Sequence, residues 1–392
     1  MRPPRRVVVV GAGAAGFTVV DELRRGGFDG AITLVGAETH LPYDRPPLSK
    51  QVLLGAWPPE RAELATAQAL HDLDLDLRLG VAARALDVAS RTVTLDDGSA
   101  LTADEVVVAT GSHAVVPEWA TLGPRILTLR TLDDARVLAQ ALRSSLRLAV
   151  VGTGFLGLEV AATARSVGVD DVTVIGPIAP MVTAVGATVS GRLRDLHEEH
   201  GVHLEVGRPV LAATADATGV TVRFGGRTAR VDVAVVALGA RPTLGWLAGS
   251  GLVTDAGVVV DARGRAAPGV HAVGEVCAWP DRAGRPRRLD HRQSAGDQAR
   301  TVAADLLGVV EPLELVPYWW SDQYDVRIQA YGVTGPQREE HWLTGDRDSS
   351  SFALAQRDGE VLGGVLGWNA ARAVRQGRPL VARPTPWPTA AA

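Results

Sequence analysis

The residues with the plainest chemistry are two glycine triplets, Gly11-x-Gly13-x-x-Gly16 and Gly152-x-Gly154-x-x-Gly157. In such a turn the first glycine permits a tight bend, the second lets the backbone approach a pyrophosphate, and the third lets a helix pack on the preceding strand. The amino end of that helix then faces the phosphates with unpaired N–H groups. A single triplet is weak evidence; two in one chain, each between a strand pattern and a helix pattern, predict two dinucleotide sites.

A ribose hydroxyl beside the pyrophosphate calls for an acid at the end of the next strand. The first repeat offers Glu38, preceded by Ala37, whereas Gly176-Pro177-Ile178-Ala179-Pro180 in the second holds neither an acid for a 2′-hydroxyl nor an arginine for a 2′-phosphate, so it does not choose between NADH and NADPH. A third candidate is the chain's single lysine, Lys50, at the end of HLPYDRPPLSK with Tyr43 and Arg45. Arginine stands everywhere else, a bias suggesting a GC-rich genome. The surviving ammonium is either chance or a site that a planar guanidinium cannot serve.

The elements that must position these groups follow from periodicity. VVVV runs into the first turn, helix-forming sequence continues to about Arg25, and AITLV (31–35) gives the next strand. Glu60 to His71 reads as helix, and LDLRLG, ARALDVA and TVTLDDG read as a β-meander with a turn at Asp97-Gly98. DEVVVATGS returns to the first sheet. RLAVV, a helix to about Gly168, and VTVI repeat the unit, and VDVAVVALGARP mirrors the return strand. A strand then reaches Gly274-Glu275, whose carboxylate can bind cofactor hydroxyls. A helix from about Ser294 to Leu307 presents positive potential at its start.

The composition, 392 residues with 46% hydrophobic content and 43 glycines, fits an α/β protein of two or three domains. One cysteine, Cys277, rules out an internal disulfide or Cys-x-x-Cys chemistry and reads as a small buried apolar residue. The net charge of -4 gives no reason to expect nucleic acid, and no apolar run is long enough to span a membrane. The basic start (Arg2, Arg5, Arg6) reads as part of a folded cytoplasmic protein, because the phosphate turn and then Asp21 and Glu22 follow at once. No metal site is expected.

With PYDRPPLSK, ATGS, GFLGLEVA and VPYWWSDQYDVRIQAYG beside both triplets, nearly the whole chain resembles the FAD-containing ferredoxin reductases of oxygenase systems, of the putidaredoxin reductase type and related to apoptosis-inducing factor. The resemblance implies an α/β fold with two Rossmann-like domains and a small C-terminal α+β domain. An FAD domain would comprise residues 1–115 and 243–316, an NAD(P)H domain 116–242, and a C-terminal domain 317–392. It also implies that Gly11, Gly13, Ala15 and Gly16 hold the FAD pyrophosphate. Lys50 would lie beside the flavin, paired with Glu159. Ala37, Glu38, Arg45, Ala83, Arg130, Glu275, Arg292, Gln293 and Trp320 would be further FAD contacts, and Gly152, Gly154 and Gly157 would take NADH or NADPH. Glu275 stands where that family usually has Asp, Ala37 where an acid is common, and His113 where Arg is frequent.

The activity implied is hydride transfer from nicotinamide to flavin, then single-electron steps to a small iron–sulfur ferredoxin, with Lys50 and Glu159 as flavin-tuning groups. Arg282, Arg285, Arg287, Arg288 and Arg292 offer a candidate docking run for an acidic partner. The alternatives are a flavoprotein that reduces a small molecule and a redox-controlled nucleotide-binding protein of the apoptosis-inducing type.

Overall fold

The computed structural model describes residues 4–254, 257–309 and 312–387, so Arg2 lies outside the described residues. The chain divides into two compact units, one of residues 1–44, 62–113 and 241–315, the other of 45–61, 114–240 and 316–392. The proline-rich segment that carries Lys50 thus belongs to the second unit.

The first unit is built on a six-stranded sheet in the order Arg265–Ala267, Val270–Ala272, Glu105–Val108, Arg6–Val10, Ala31–Gly36, Leu75–Leu79. All neighbours are parallel except the first pair. Arg6–Val10 lies in the interior of the sheet, which explains its unbroken β-branched run: from Val7 to Val10 every side chain is buried. The helices Ala14–Arg25 and Arg292–Leu306 pack against each other in this unit.

The structure departs from the sequence pattern at two places. Leu75–Leu79 is not part of the meander: it pairs in parallel with Ala31–Gly36, Ile32 opposite Leu75, and forms the sheet's edge. The meander consists of Ala83–Asp87, Thr92–Leu95 and Ala100–Thr102. An exposed edge strand alternates with the same period of two as a hairpin strand, so periodicity alone does not separate them. Glu60 to His71 is not one helix either, but a 3₁₀ turn at Pro59–Ala62 and a helix at Ala67–Asp72. Thr66 interrupts them, because its hydroxyl accepts the Ala69 N–H at 3.2 Å and caps the second piece.

The second unit repeats the plan with five parallel strands in the order Val202–Val206, Asp171–Gly176, Arg147–Val151, Val233–Val236, Ile126–Leu127, and a meander of Val210–Asp216, Gly219–Phe224 and Arg227–Val231. Its C-terminal part is an antiparallel sheet in the order Tyr318–Gln323, Val326–Gly332, Val361–Trp368, Phe352–Asp358, Glu340–Thr344. The helix Ala371–Val381 lies against the second and third of these strands, Val326–Gly332 and Val361–Trp368. The fold is therefore α/β, with two Rossmann-like parallel sheets and a C-terminal α+β region.

Candidate functional site

In the first unit the glycine turn is sterically determined. Gly11 has φ +120°, and a Cβ there would lie 2.2 Å from the Ala109 carbonyl oxygen; one on Gly16 would lie 1.9 Å from that of Gly11. Gly13 has nothing within 4 Å of a Cβ position. It also caps the helix Ala14–Arg25 without a side-chain hydrogen bond and with no acid in the first turn. The helix start thus has no acid competing for its leading N–H groups, and the open space at Gly13 leaves room for a pyrophosphate.

Residues from distant parts of the sequence gather around this turn. Tyr43 Oη donates to Glu38 Oε2 at 2.6 Å, holding the acid that follows Ala37. Ala83 begins a meander strand two residues after Val81, whose N–H donates to the Gly36 carbonyl at 3.0 Å. Gly274, at φ +81°, would bring a Cβ to 3.2 Å from that of Ala15, and next to it Glu275 accepts the Ser112 hydroxyl. Arg292 pairs with Asp44 at 2.5 Å, while Gln293 Nε2 turns back to Asp297 at 3.0 Å. Ser294 Oγ in the first turn of the same helix, and Gln298 Nε2 one turn further on, are buried without a partner among the described residues, although Gln298 Oε1 accepts the Gly274 N–H at 2.7 Å. Two orphaned polar groups beside a helix amino end, and a cradle that a Cβ would fill, fit a dinucleotide carrying a polar ring.

The second turn repeats this geometry. Gly152 has φ +128° and would place a Cβ 2.2 Å from the Ala237 carbonyl oxygen; Gly157 would place one 2.1 Å from that of Gly152, and Gly154 faces open space. The helix Phe155–Ser166 starts there, again without an acid in its first turn. Glu159 lies on that helix and is buried.

Lys50 Nζ meets Glu159 Oε2 at 2.6 Å, with the two side chains 11% and 7% exposed. The 3₁₀ turn Pro46–Ser49 delivers the lysine, and Thr163 Oγ1 holds that turn to the helix by donating to the Ser49 carbonyl at 2.8 Å. A buried ion pair is stable only when its remaining hydrogen-bonding capacity is met. Ser49 Oγ donates to Glu159 Oε2 at 2.5 Å and Ser321 Oγ donates to Oε1 at 2.7 Å. Ser321 receives Gln323 Nε2 at 3.0 Å, and Gln323 Oε1 lies 2.7 Å from His197 Nε2. The donors all point one way, so Nε2 is the protonated nitrogen of His197 and the relay ends on an ionised carboxylate. Burial pushes the His197 pKa down to about 4, which keeps the ring neutral.

The remaining expected residues lie in this unit. Arg45 donates to the carbonyl of Arg130, whose N–H is held by Asp134 at 2.9 Å. Trp320 is half-buried on the strand of Ser321, with Tyr318 at 5.9 Å and the Arg327 guanidinium at 6.0 Å. Ser49, Ser321, Gln323 and His197 escaped the reading of the sequence. Ser49, Ser321 and Gln323 lie inside the motifs PYDRPPLSK and WWSDQYD, and Ser321 and Gln323 alternate onto one face of a strand; His197 carried no signal.

Cys277 is fully buried, its pKa pushed up to about 12, which makes it an inert thiol. In the arginine run, Arg282 pairs with Glu314, Arg285 with Asp281, Arg288 with Asp290 and Arg292 with Asp44; among the described residues only Arg287 has no acidic partner. Local acids thus neutralise most of the charge that a docking surface there would need. Among the described residues no helix is long and apolar enough to cross a membrane.

Comparison with known proteins agrees with this architecture. The chain is 36% identical over 387 residues to rhodocoxin reductase of Rhodococcus erythropolis, covering 97% of this chain and 90% of that protein. It is 38% identical over 364 residues to the ferredoxin reductase component of chlorobenzene dioxygenase from Cupriavidus sp. (strain PS12), covering 91% and 87%. Among solved structures, the covalent putidaredoxin reductase–putidaredoxin complex superposes with a TM-score of 0.92 at 30% identity, covering 97% of this chain and 94% of that one. Residues 318–392 match the reductase C-terminal family. Residues 5–299 match the pyridine nucleotide-disulphide oxidoreductase family, and with its two glycine cradles the chain belongs to that family.

Proposed function

We infer that the protein is an FAD-dependent NAD(P)H oxidoreductase that passes electrons from a reduced nicotinamide to a small iron–sulfur ferredoxin of an oxygenase or cytochrome P450 system. The observation that carries this reading is the doubled cradle: Gly13 and Gly154 each cap a helix, and each faces open space. The relatives' names, ferredoxin reductase component among them, support the choice of acceptor. Bound FAD supplies hydride acceptance and one-electron release.

The chain's own residues bind, orient and polarise. Gly11, Gly13, Ala15 and Gly16 receive the FAD pyrophosphate, Glu38 the ribose, and Ala37, Ala83, Arg45, Arg130, Glu275, Arg292, Gln293 and Trp320 supply further contacts. Gly152, Gly154 and Gly157 receive the nicotinamide dinucleotide. The Lys50–Glu159 pair sets the local charge, and the helix beginning at Arg292 presents N–H groups and Ser294 Oγ to a developing anion. Residues 1–115 with 243–316 would form the FAD domain, 116–242 the NAD(P)H domain and 317–392 the C-terminal domain, in a protein working in the cytoplasm.

The test is an anaerobic titration of the purified yellow protein with NADH and NADPH in turn, followed by oxidised-flavin absorption and then by transfer to a ferredoxin. Fast bleaching by either nucleotide supports the reading. Bound flavin that neither nucleotide bleaches refutes it.

A further inference from the structure

The two glycine turns share one plan as far as the end of their second strands, and there they part. Val10 faces Val35 and Val151 faces Ile175; the Gly11 N–H donates to the Val35 carbonyl at 2.8 Å and the Gly152 N–H to that of Ile175 at 2.9 Å. Each second strand then ends on a glycine packed against the residue between the first two turn glycines. A Cβ on Gly36 would lie 2.7 Å from Ala12 Cβ, and one on Gly176 would lie 2.7 Å from Thr153 Cγ2. Gly36 and Gly176 are therefore structural equivalents, kept small by the turn itself.

Beyond them, Ala37-Glu38 corresponds to Pro177-Ile178. Glu38 is braced by Tyr43, whereas Ile178 is 43% exposed and carries no polar atom. The charged groups on the adjacent strand Val202–Val206, just past its end and on the meander strand Arg227–Val231 are paired with one another. Glu205 sits opposite Ile175, and the Arg208 N–H donates to the Gly176 carbonyl at 3.1 Å. Arg208 Nε then pairs with Glu205 Oε2 at 2.9 Å, and Arg227 with Glu205 Oε1 at 2.7 Å. A 2′-hydroxyl thus finds no strand-end acid, and a 2′-phosphate finds arginines already held by a carboxylate.

We propose that the second turn does not discriminate the adenosine 2′ substituent, so that the protein uses NADH and NADPH alike, and that Ile178, not Gly176, is the position where discrimination is set. The proposal rests on the reductase reading above. It follows that Gly176→Glu, which has the spacing of a strand-end acid, collides with Thr153, while Ile178→Glu places a carboxylate where the first repeat has Glu38.

The experiment measures Kd for NAD⁺ and NADP⁺ by titration calorimetry on the holoprotein, with kcat/KM for NADH and NADPH alongside. Wild type should bind the two nucleotides within about tenfold of each other, because a site without a matched polar group rejects weakly. Ile178→Glu should shift the Kd ratio toward NAD⁺ by roughly tenfold to a hundredfold, the worth of one charge-assisted hydrogen bond. Gly176→Glu should weaken both nucleotides, and Thr153→Gly added to it should recover binding. A wild-type preference beyond about a hundredfold, or an unchanged ratio in a folded Ile178→Glu protein, overturns the proposal. Failure of both nucleotides to bind the wild-type holoprotein overturns the reductase reading itself, and the proposal with it.

Discussion

Replacing Lys50 by Met removes the ammonium from a pair whose side chains are 11% and 7% exposed, and it leaves the Glu159 carboxylate buried. Breaking a buried pair from one side costs about 3–5 kcal/mol, because the stranded charge keeps its desolvation penalty. Here Ser49 and Ser321 continue to donate to the two carboxylate oxygens, which places the expected loss near the lower end, about 3 kcal/mol. Lys50→Met/Glu159→Gln holds no buried charge and should be about 2 kcal/mol more stable than Lys50→Met alone, so the two substitutions are non-additive by at least that much. Urea unfolding followed by tryptophan fluorescence gives the stabilities, and the visible spectrum of each holoprotein reports whether the pair faces the flavin. A loss below about 0.5 kcal/mol for Lys50→Met, or a double variant as unstable as the sum of the singles, would show that the pair is not the desolvated unit described here.

Two of the three glycines of the first turn should separate folding from cofactor binding. Gly16→Ala forces a Cβ to within 1.9 Å of a backbone oxygen and should lose about 2–3 kcal/mol of stability. Gly13→Ala meets no atom within 4 Å, so it should melt like wild type but carry much less flavin by its visible-to-ultraviolet absorbance ratio; full flavin content would refute the cradle. The buried histidines should give opposite pH limbs. His271 is subject to desolvation that lowers its pKa, but the hydrogen bond its Nε2 donates to Asp305 at 3.0 Å, with the charges of Asp305 and of Glu105, 3.3 Å from Nδ1, outweighs it and raises the value. Its stabilisation is then complete below the unfolded value of about 6.5 and lost as pH rises through the raised one. His271→Gln should therefore lose more stability at acid than at alkaline pH. His197, with its pKa lowered to about 4, contributes stability that is present above the unfolded value of roughly 6.5 and lost as pH falls toward the folded one. His197→Gln should flatten that acid limb, and an unchanged limb in pH-dependent melts would count against its neutral, buried state.

The sequence by itself determined what depends on short-range geometry. Gly11, Gly16, Gly152 and Gly157 were legible because bend and close approach are demanded within a few residues, and the valine runs were legible because interior parallel strands are buried on both faces. Glu159 was reached as a partner for Lys50 only through family resemblance, since the two are 109 positions apart. The sequence could not rank Leu75–Leu79 as an edge strand over a hairpin strand, or Thr66 as a cap over a helix interior, because each local pattern satisfies both. Tertiary structure decided the rest. It closed the relay from His197 through Gln323 and Ser321 onto Glu159, neutralised most of the arginine run, and set Gly176 against Thr153. In each case a side chain's role is fixed by a partner brought from far along the chain, and pairwise distance of that kind leaves no periodicity for a local reading to find.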